Sequence, residues 1–109
     1  MFCSVDSIDV RRLIWAAAGD IVSFFADGRM STEVVRVLTA CDAESRSHYP
    51  TTLFHTEEAF IGRCTAKTTI YCANIAAGLM IAQFTKHLRQ LPVEPDIQLN
   101  LLASELSVA

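Results

Sequence analysis

The sequence predicts an α/β domain in which helices cover a partly parallel, mixed sheet. Short apolar runs rich in β-branched residues alternate with stretches that have helical spacing, and capping or turn residues fall between them. A long uncharged stretch, Thr68 to Thr85, suits a helix that is buried on several sides. At 109 residues, of which 51% are hydrophobic, the chain is expected to form a single small domain around one core.

The first strand and helix are predicted from the N-terminal residues. Met1 to Val5 reads as the end of a short apolar strand, and Asp6 or Ser7 can then cap a helix that stops at Gly19. The apolar residues of this helix recur at helical spacing: Val10, Leu13, Ile14 and Ala17.

Two further strands and a loop are predicted next. Ile21 to Ala26 is a short apolar run suited to a buried strand, and Asp27-Gly28 reads as a turn. Glu33 to Thr39 is β-branched enough for another strand. The polar composition of Cys41 to Pro50 predicts a loop, and Thr51 to His55 a short extended piece.

The second half of the chain is predicted to hold a long helix and a closing strand. The helix should run from about Thr69 to Gln90, and Pro92 and Pro95 bracket the following loop. Ile97 to Val108 then reads as the terminal strand. The resulting order is strand, helix, strand, strand, helix, strand.

Charge and cysteine usage exclude several classes of function. The net charge of −3 and the scattered basic residues argue against a nucleic-acid binder, which needs a clustered basic face. The four cysteines are expected to be reduced thiols of a cytoplasmic protein, since the chain shows no signal peptide. They form no C-x-x-C pair, so a zinc site is disfavoured.

A membrane span is also disfavoured. The uncharged stretch reaches only the lower length limit for a transmembrane helix, and it contains Asn74 and Gln83. Much of its bulk is alanine, so it would insert poorly. A helix buried in an α/β domain explains the stretch better.

Cys64 has the chemical surroundings of a reactive thiol. Arg63 precedes it and Lys67 follows, so two cations favour the thiolate, and the N-terminus of the long helix would add to this. No His or Asp is identifiable as its base, so a nucleophile and an ordinary loop or core cysteine remain open from the residues alone. Cys3 and Cys72 are expected to be buried small hydrophobes, whereas Cys41 precedes a polar loop and could be exposed.

Three stretches together resemble the ThiF/MoeB-type adenylating enzymes, relatives of the ubiquitin-activating enzymes. Val5-Asp6-Ser7 followed by Arg11 resembles the family's strand-end Asp-Asn and the Arg after it. Cys64, with Gly78 in a small-residue helix, resembles the catalytic Cys loop and the Gly of the next helix. Leu88 to Leu91 and the strand from Ile97 resemble the closing elements. The resemblance covers nearly the whole chain, residues 1–109, and corresponds to the C-terminal half of a Rossmann-like adenylation domain.

The resemblance implies a function and a set of site residues. These enzymes use ATP and Mg²⁺ to activate the C-terminal carboxylate of a ubiquitin-like or sulfur-carrier protein, and a cysteine accepts the product in some members. Asp6 would bind Mg²⁺ near the phosphates, and Arg11 would lie at the cofactor, for charge stabilisation or structural pairing. Cys64 would be the catalytic thiol. Family members often form homodimers.

The departures from the family pattern define an alternative. Ser7 stands where the family usually has Asn, and Trp15 where another Asn is common. The chain contains no G-x-G-x-x-G loop, so the Gly-rich nucleotide half is absent and the chain alone should not form an acyl-adenylate. The alternative is a non-catalytic interaction or assembly module that keeps the sheet and helix. Asp6 as a plain N-cap and Arg11 or Arg12 as solvated charges are the corresponding structural readings.

Overall fold

The computed structural model describes residues 1–5, 7–31, 33–53 and 70–108. These residues form an α/β fold with a five-stranded mixed sheet and three α-helices, which confirms the predicted class. The elements in chain order are β1 (Phe2–Cys3), α1 (Ile8–Ala18), β2 (Phe25–Ser31), β3 (Val34–Ala40), α2 (Ala43–His48), a 3₁₀ turn (Tyr49–Thr52), α3 (Ile70–Leu88), β4 (Asp96–Asn100) and β5 (Glu105–Val108).

The strands lie in the sheet in the same order as in the chain. β1 runs parallel to β2, and α1 makes the crossover between them. β2, β3, β4 and β5 then follow as antiparallel neighbours, with pairs such as Phe25↔Ala40 and Val37↔Ile97. This arrangement is compatible with part of a Rossmann-like fold.

The side chains of β2 alternate between two cores on opposite faces of the sheet, as the two-residue period of a strand requires. Phe25 packs with residues of α1 and the 3₁₀ turn, including Ile8 and Tyr49. Ala26 packs with residues of α3, including Cys72, Ala76 and Met80. The helices therefore cover both faces, with α1 on one and α3 on the other.

Helix α1 begins and ends where the sequence indicates. The Ser7 hydroxyl accepts a hydrogen bond from the Asp9 amide at 3.1 Å, which makes Ser7 the N-cap. Gly19 is the C-cap, and its amide donates to the Trp15 carbonyl at 2.8 Å. The predicted helix over this stretch is confirmed.

Helix α3 confirms the predicted long helix. Its buried positions, Cys72, Ala76, Met80 and Gln83, recur at helical spacing and face the sheet. Gly28 of β2 permits the close approach, because a Cβ at this position would lie 2.7 Å from the Met80 sulfur. Leu79 and Phe84 are partly buried against the core to which Met80 belongs.

Two predictions on the second strand and its flank are wrong. Asp27-Gly28 is not a turn: both residues lie inside β2, which starts at Phe25 rather than Ile21. Cys41 to Pro50 is not a loop, because α2 occupies Ala43–His48. Asp42 and Ser45 cap each other's backbone amides there, which starts a helix in a stretch without apolar periodicity.

The C-terminal part of the sheet differs in detail from the expectation. The predicted terminal strand, Ile97 to Val108, is two strands, β4 and β5, which form an antiparallel hairpin. The Asn100 side chain accepts hydrogen bonds from the amides of Leu102 and Ala103 in the connection, and Ser104 has a positive φ of 54°. Among the described helices, none is long and apolar enough to cross a membrane.

Candidate functional site

Only one of the three predicted site residues falls within the described residues. Asp6, predicted to bind Mg²⁺, and Cys64, predicted to be the catalytic thiol, lie outside them. Arg11, predicted to lie at the cofactor, is in the first half of α1 and only 2% exposed. It is therefore not a solvated charge on an exposed helix face.

Arg11 belongs to a buried polar cluster centred on Asp27 of β2. The Asp27 carboxylate is fully buried and accepts three hydrogen bonds. One comes from Arg11 Nε at 2.9 Å, one from Arg29 Nε at 3.0 Å and one from the Tyr49 hydroxyl at 2.8 Å. Two guanidinium groups and a phenol thus surround one carboxylate in the interior, where ion pairs are little screened.

Arg29 of this cluster and the nearby Arg12 also bind the residues just before 54–69, the segment that contains Cys64. Arg29 donates to the carbonyl and the hydroxyl of Thr52, both at 2.9 Å. Arg12 donates to the Leu53 carbonyl at 2.5 Å and to the Asp9 carboxylate at 3.3 Å. Thr52 and Leu53, which directly precede residues 54–69, are therefore fixed to β2 and to the first turn of α1.

The chain returns after residue 69 at the same edge of the sheet. At the start of α3, the Tyr71 hydroxyl donates to the Glu33 carboxylate, with oxygen–oxygen distances of 2.5 and 2.7 Å. Glu33 lies between β2 and β3, directly after β2 ends. Because β1 runs parallel to β2, this is also the edge at which β1 ends and α1 begins. We call it the carboxyl edge, and Val5, Ser7, Leu53 and Ile70 all lie there.

Burial controls the protonation of the neutral groups around Asp27. Burial and, to a smaller extent, the negative charge of Asp27 together raise the pKa of the Cys3 thiol to about 11. Burial and Asp27 likewise raise the pKa of Tyr49 far above its ordinary value. Both groups are protonated at neutral pH, so neither serves as a base there, and the Tyr49 hydroxyl acts as a hydrogen-bond donor.

The Arg11 guanidinium is engaged inside the protein rather than at a surface. Its Nη2 lies 3.4 Å from the Gly28 carbonyl oxygen, and its Nη1 is buried with no hydrogen-bond partner among the described residues. A phosphate would need an accessible guanidinium, which this geometry does not offer. Of the two roles that the resemblance implies for Arg11, this arrangement matches structural pairing.

The sequence does not predict the buried cluster that contains Asp27, Arg29 and Tyr49. Because Asp27 precedes Gly28, it is expected in a turn. The available signal was the two-residue spacing of Asp27 and Arg29, which puts both on one face of a strand. Two opposite charges at that spacing in an apolar run indicate a buried pair, provided the run is recognised as a strand.

A second polar cluster joins α2 to the sheet. In Asp96 of β4, Oδ1 accepts a hydrogen bond from Arg36 Nε at 3.0 Å, and Oδ2 accepts one from Arg36 Nη2 at 2.8 Å. His48 Nε2 lies 3.0 Å from the same Oδ2. Burial tends to raise the pKa of Asp96, but the hydrogen bonds from Arg36 and His48 outweigh it and hold that pKa below its usual value. An open cleft of about 350 Å³ beside it is lined by Glu44, Ser47, His48 and Pro95.

The remaining predicted features are distributed as follows. Cys3 and Cys72 are buried free thiols, as predicted, and Cys41 is half-buried with a pKa raised by burial. Gly78 is exposed, and a Cβ there would meet no atom within 4 Å, so packing within the described residues does not require it. Within the part of the chain described, no three His, Cys, Asp or Glu side chains come together as a metal site.

Comparison with known proteins adds no family assignment to this geometry. The chain matches no family model and no curated protein.

Proposed function

We propose that the chain is the C-terminal portion of a ThiF-type adenylyltransferase, and that it is inactive without a Gly-loop half. The complete enzyme would use ATP to activate the C-terminal carboxylate of a ubiquitin-like or sulfur-carrier protein. A carboxylate oxygen would bond to the α-phosphorus and release pyrophosphate. The Cys64 thiolate would then attack the acyl carbon and release AMP.

One observation carries the proposal: Val5, Ser7, Leu53 and Ile70 all lie toward the carboxyl edge of the β1–β2 pair, with Val5 and Leu53 on the α1 face and Ile70 at the start of α3. Val5 and Ser7 flank Asp6, and Leu53 and Ile70 flank the segment that contains Cys64. Ligands of α/β sheets bind outside the carboxyl ends of parallel strands. A nucleotide site built at this edge would thus have the residues around Asp6 and the ends of the Cys64 segment as neighbours.

The described residues would act on this site indirectly. Arg11 and Arg29 hold Asp27, and Arg29 and Arg12 hold Thr52 and Leu53, so they are positioning residues for the edge. Mg²⁺ would be held by Asp6 and would neutralise phosphate charge. Asp27 does not compete for it, because two guanidinium groups and the Tyr49 hydroxyl already occupy its oxygens.

ATP–pyrophosphate exchange tests the enzymatic assignment. The chain alone is expected to give no exchange, because it has no Gly-rich phosphate loop. Exchange should appear when a chain that carries such a loop is added. Strong exchange by the chain alone would contradict the proposed division of the active site.

Thiol labelling tests the role of Cys64. Cys64 is expected to label faster near neutral pH than Cys3, Cys41 and Cys72, because Arg63 and Lys67 favour its thiolate. Burial raises the pKa values of Cys3 and Cys41, which slows their labelling further. The Cys64→Ser variant should lose only the fast phase. Equal rates at all four thiols would reduce Cys64 to an ordinary cysteine.

A non-catalytic interaction or assembly module is the second candidate. It is favoured by the exposed apolar side chains around β1 and α3, among them Phe2, Ile70 and Ile81. The two functions differ in a measurable way. A module would bind its partner normally when Cys64 is replaced by Ser, and its Cys64 would label no faster than the other thiols.

A further inference from the structure

The strand β1 has one open side. The Met1 amine donates to the Phe24 carbonyl at 2.7 Å, and the Met1 carbonyl accepts from the Ala26 amide at 2.9 Å, so the backbone groups of Met1 point toward β2. The groups of successive residues point to alternate sides of a strand. The N–H and C=O groups of Phe2 and Ser4 therefore point away from β2, toward the side where no described strand lies.

Within the described residues, the main protection of this side of β1 is its length of only two residues. Residues 1–5 contain no charged side chain and no proline, which are other common means of blocking a sheet edge. The opposite edge of the sheet, β5, carries Glu105. A short edge without charge or proline, hydrogen-bonded to β2 on its other side, can pair with another strand.

An apolar groove lies directly beside the open side of β1. It has a volume of about 340 Å³ and runs between β1 and α3. Ala76, Met80 and Met30 belong to the core beneath, and Phe2 and Ile81 are 50% and 57% exposed at its margin. Phe2 is held in place by edge-to-face contacts with Phe24 and Phe84, at centroid distances of 6.1 and 5.6 Å.

The charge of the groove restricts what can occupy it. None of the described residues that line it is charged, and α3 beside it carries no charge from Ile70 to Thr85. A phosphate, a nucleotide or a charged peptide face would lose its hydration there without gaining a partner. The occupant must bring backbone hydrogen-bonding groups for β1 and uncharged side chains for the groove.

We propose that this surface binds a β-strand of a partner chain, which extends the sheet beyond β1. Its backbone would pair with Phe2 and Ser4, and every second side chain, apolar in character, would enter the groove beside Ala76 and Met80. This is strand addition, in which main-chain hydrogen bonds supply affinity and alternate side-chain pockets supply specificity. The proposal stands on the sheet edge alone and does not require adenylation chemistry.

The test uses the whole chain and a short peptide of alternating threonine and valine residues with a lysine at each end. Saturable NMR shifts are expected at the amides of Phe2 and Ser4 and at the side chains of Ala77 and Ile81. A control peptide with a central proline should produce none, because proline removes a ladder donor.

Two variants locate the binding. Ser4→Pro removes an outward N–H from an edge strand, where proline is tolerated, and should weaken peptide binding about tenfold or more. Ser4→Ala is the matched control and should bind like the wild type. Ile81→Lys puts a charge at the groove without touching the backbone of β1. It should abolish binding even if Ser4→Pro proves unstable.

Several outcomes would overturn the proposal. These are the absence of saturable shifts, shifts that map to β5, and equal binding by the wild type, Ser4→Pro and Ile81→Lys. A dimer in sedimentation that Ile81→Lys dissociates would show that the occupant is a second copy of this chain instead. Loss of pyrophosphate exchange would leave the proposal standing, so the two proposals fail separately.

Discussion

At the scale of single residues, Asp27 is the fully buried carboxylate that holds the polar cluster of the interior together. Its carboxylate is the shared counter-ion of Arg11 and Arg29, and all three side chains are almost completely buried. A buried charge is tolerated only when it is paired and hydrogen-bonded. The chain also contains an exposed Asp–Arg pair, Asp9 and Arg12, which provides an internal comparison.

Replacing Asp27 with Asn should therefore destabilise the protein strongly. The change leaves two buried guanidinium groups without their shared counter-ion, so we expect a loss of about 3–5 kcal/mol in the free energy of unfolding. Asp9→Asn, the exposed counterpart, should lose less than about 1 kcal/mol. Urea unfolding measures both. Similar losses for the two variants would show that the buried cluster is not electrostatically important.

Cys3 should make the protein less stable at alkaline pH. In the unfolded chain the thiol loses its proton near its ordinary pKa of 9.0, whereas in the folded protein it keeps it until about pH 11. The unfolded state thus binds fewer protons between these values, so stability falls as pH rises. The contribution is fully present below pH 9 and amounts to about 3 kcal/mol, lost on approaching pH 11.

The Cys3→Ala variant isolates this effect. Unfolding free energies measured from pH 8 to 11 should fall more steeply for the wild type than for Cys3→Ala, whatever the difference between them at neutral pH. Tyr49 contributes in both proteins, because burial and Asp27 raise its pKa in either, so most of its contribution cancels in the comparison. Parallel pH profiles would contradict the burial-driven shift at Cys3.

At the scale of elements, the helix caps decide where α1 and α2 begin. The Ser7 hydroxyl accepts a hydrogen bond from one of the otherwise unpaired N–H groups in the first turn of α1, so Ser7→Ala should lower the free energy of unfolding by about 1 kcal/mol. Ser23→Ala, at an exposed position outside any helix, should change it by less than about 0.5 kcal/mol. Thermal or urea unfolding of the pair checks the difference. An equal effect would mean that α1 is fixed by packing alone.

The elements that the sequence predicts well are those with strong local signals. Helix α1 has a cap and apolar periodicity, α3 has a long uncharged stretch, and β3 is a run of β-branched residues. Helix α2 has no apolar face, and its capping partner at the third position is Ser45 rather than Glu or Gln. Tertiary contacts hold it instead: Arg46 donates to the carbonyls of Gly19 and Val22, at 2.5 and 2.6 Å.

The start of β2 and the polar cluster around Asp27 could not be predicted, because they too depend on contacts between residues far apart in the sequence. Asp27 and Arg29 interrupt an apolar run, and they are tolerated because Arg11 and Thr52 meet them across 16 and 23 residues of sequence. A local pattern does not show such partners. The same contacts explain why Arg11, expected at a ligand or in solvent, is buried. The carboxyl edge that Val5 and Ser7 share with the end of β2 follows only once β1 and β2 are known to be parallel.

At the scale of the whole molecule, the sheet separates two cores that should respond independently. Ile8 packs on the α1 face and Val35 on the α3 face, and both are fully buried. Ile8→Val should lose about 1 kcal/mol and Val35→Ala about 2 kcal/mol by lost burial and cavity formation. The double variant should lose their sum within about 0.5 kcal/mol. A larger deviation would indicate strain transmitted through the sheet.

The strand order has a consequence for the synthesis of the protein on the ribosome. β2 and β3 can pair as soon as both emerge, but β3 must wait for β4, since ladder partners such as Val37 and Ile97 are about 60 positions apart. The side of β3 that will face β4 therefore stays unpaired while helix α3 is being made. Nascent chains that stall before Asp96 would expose that side, and they are the species we expect chaperones to bind.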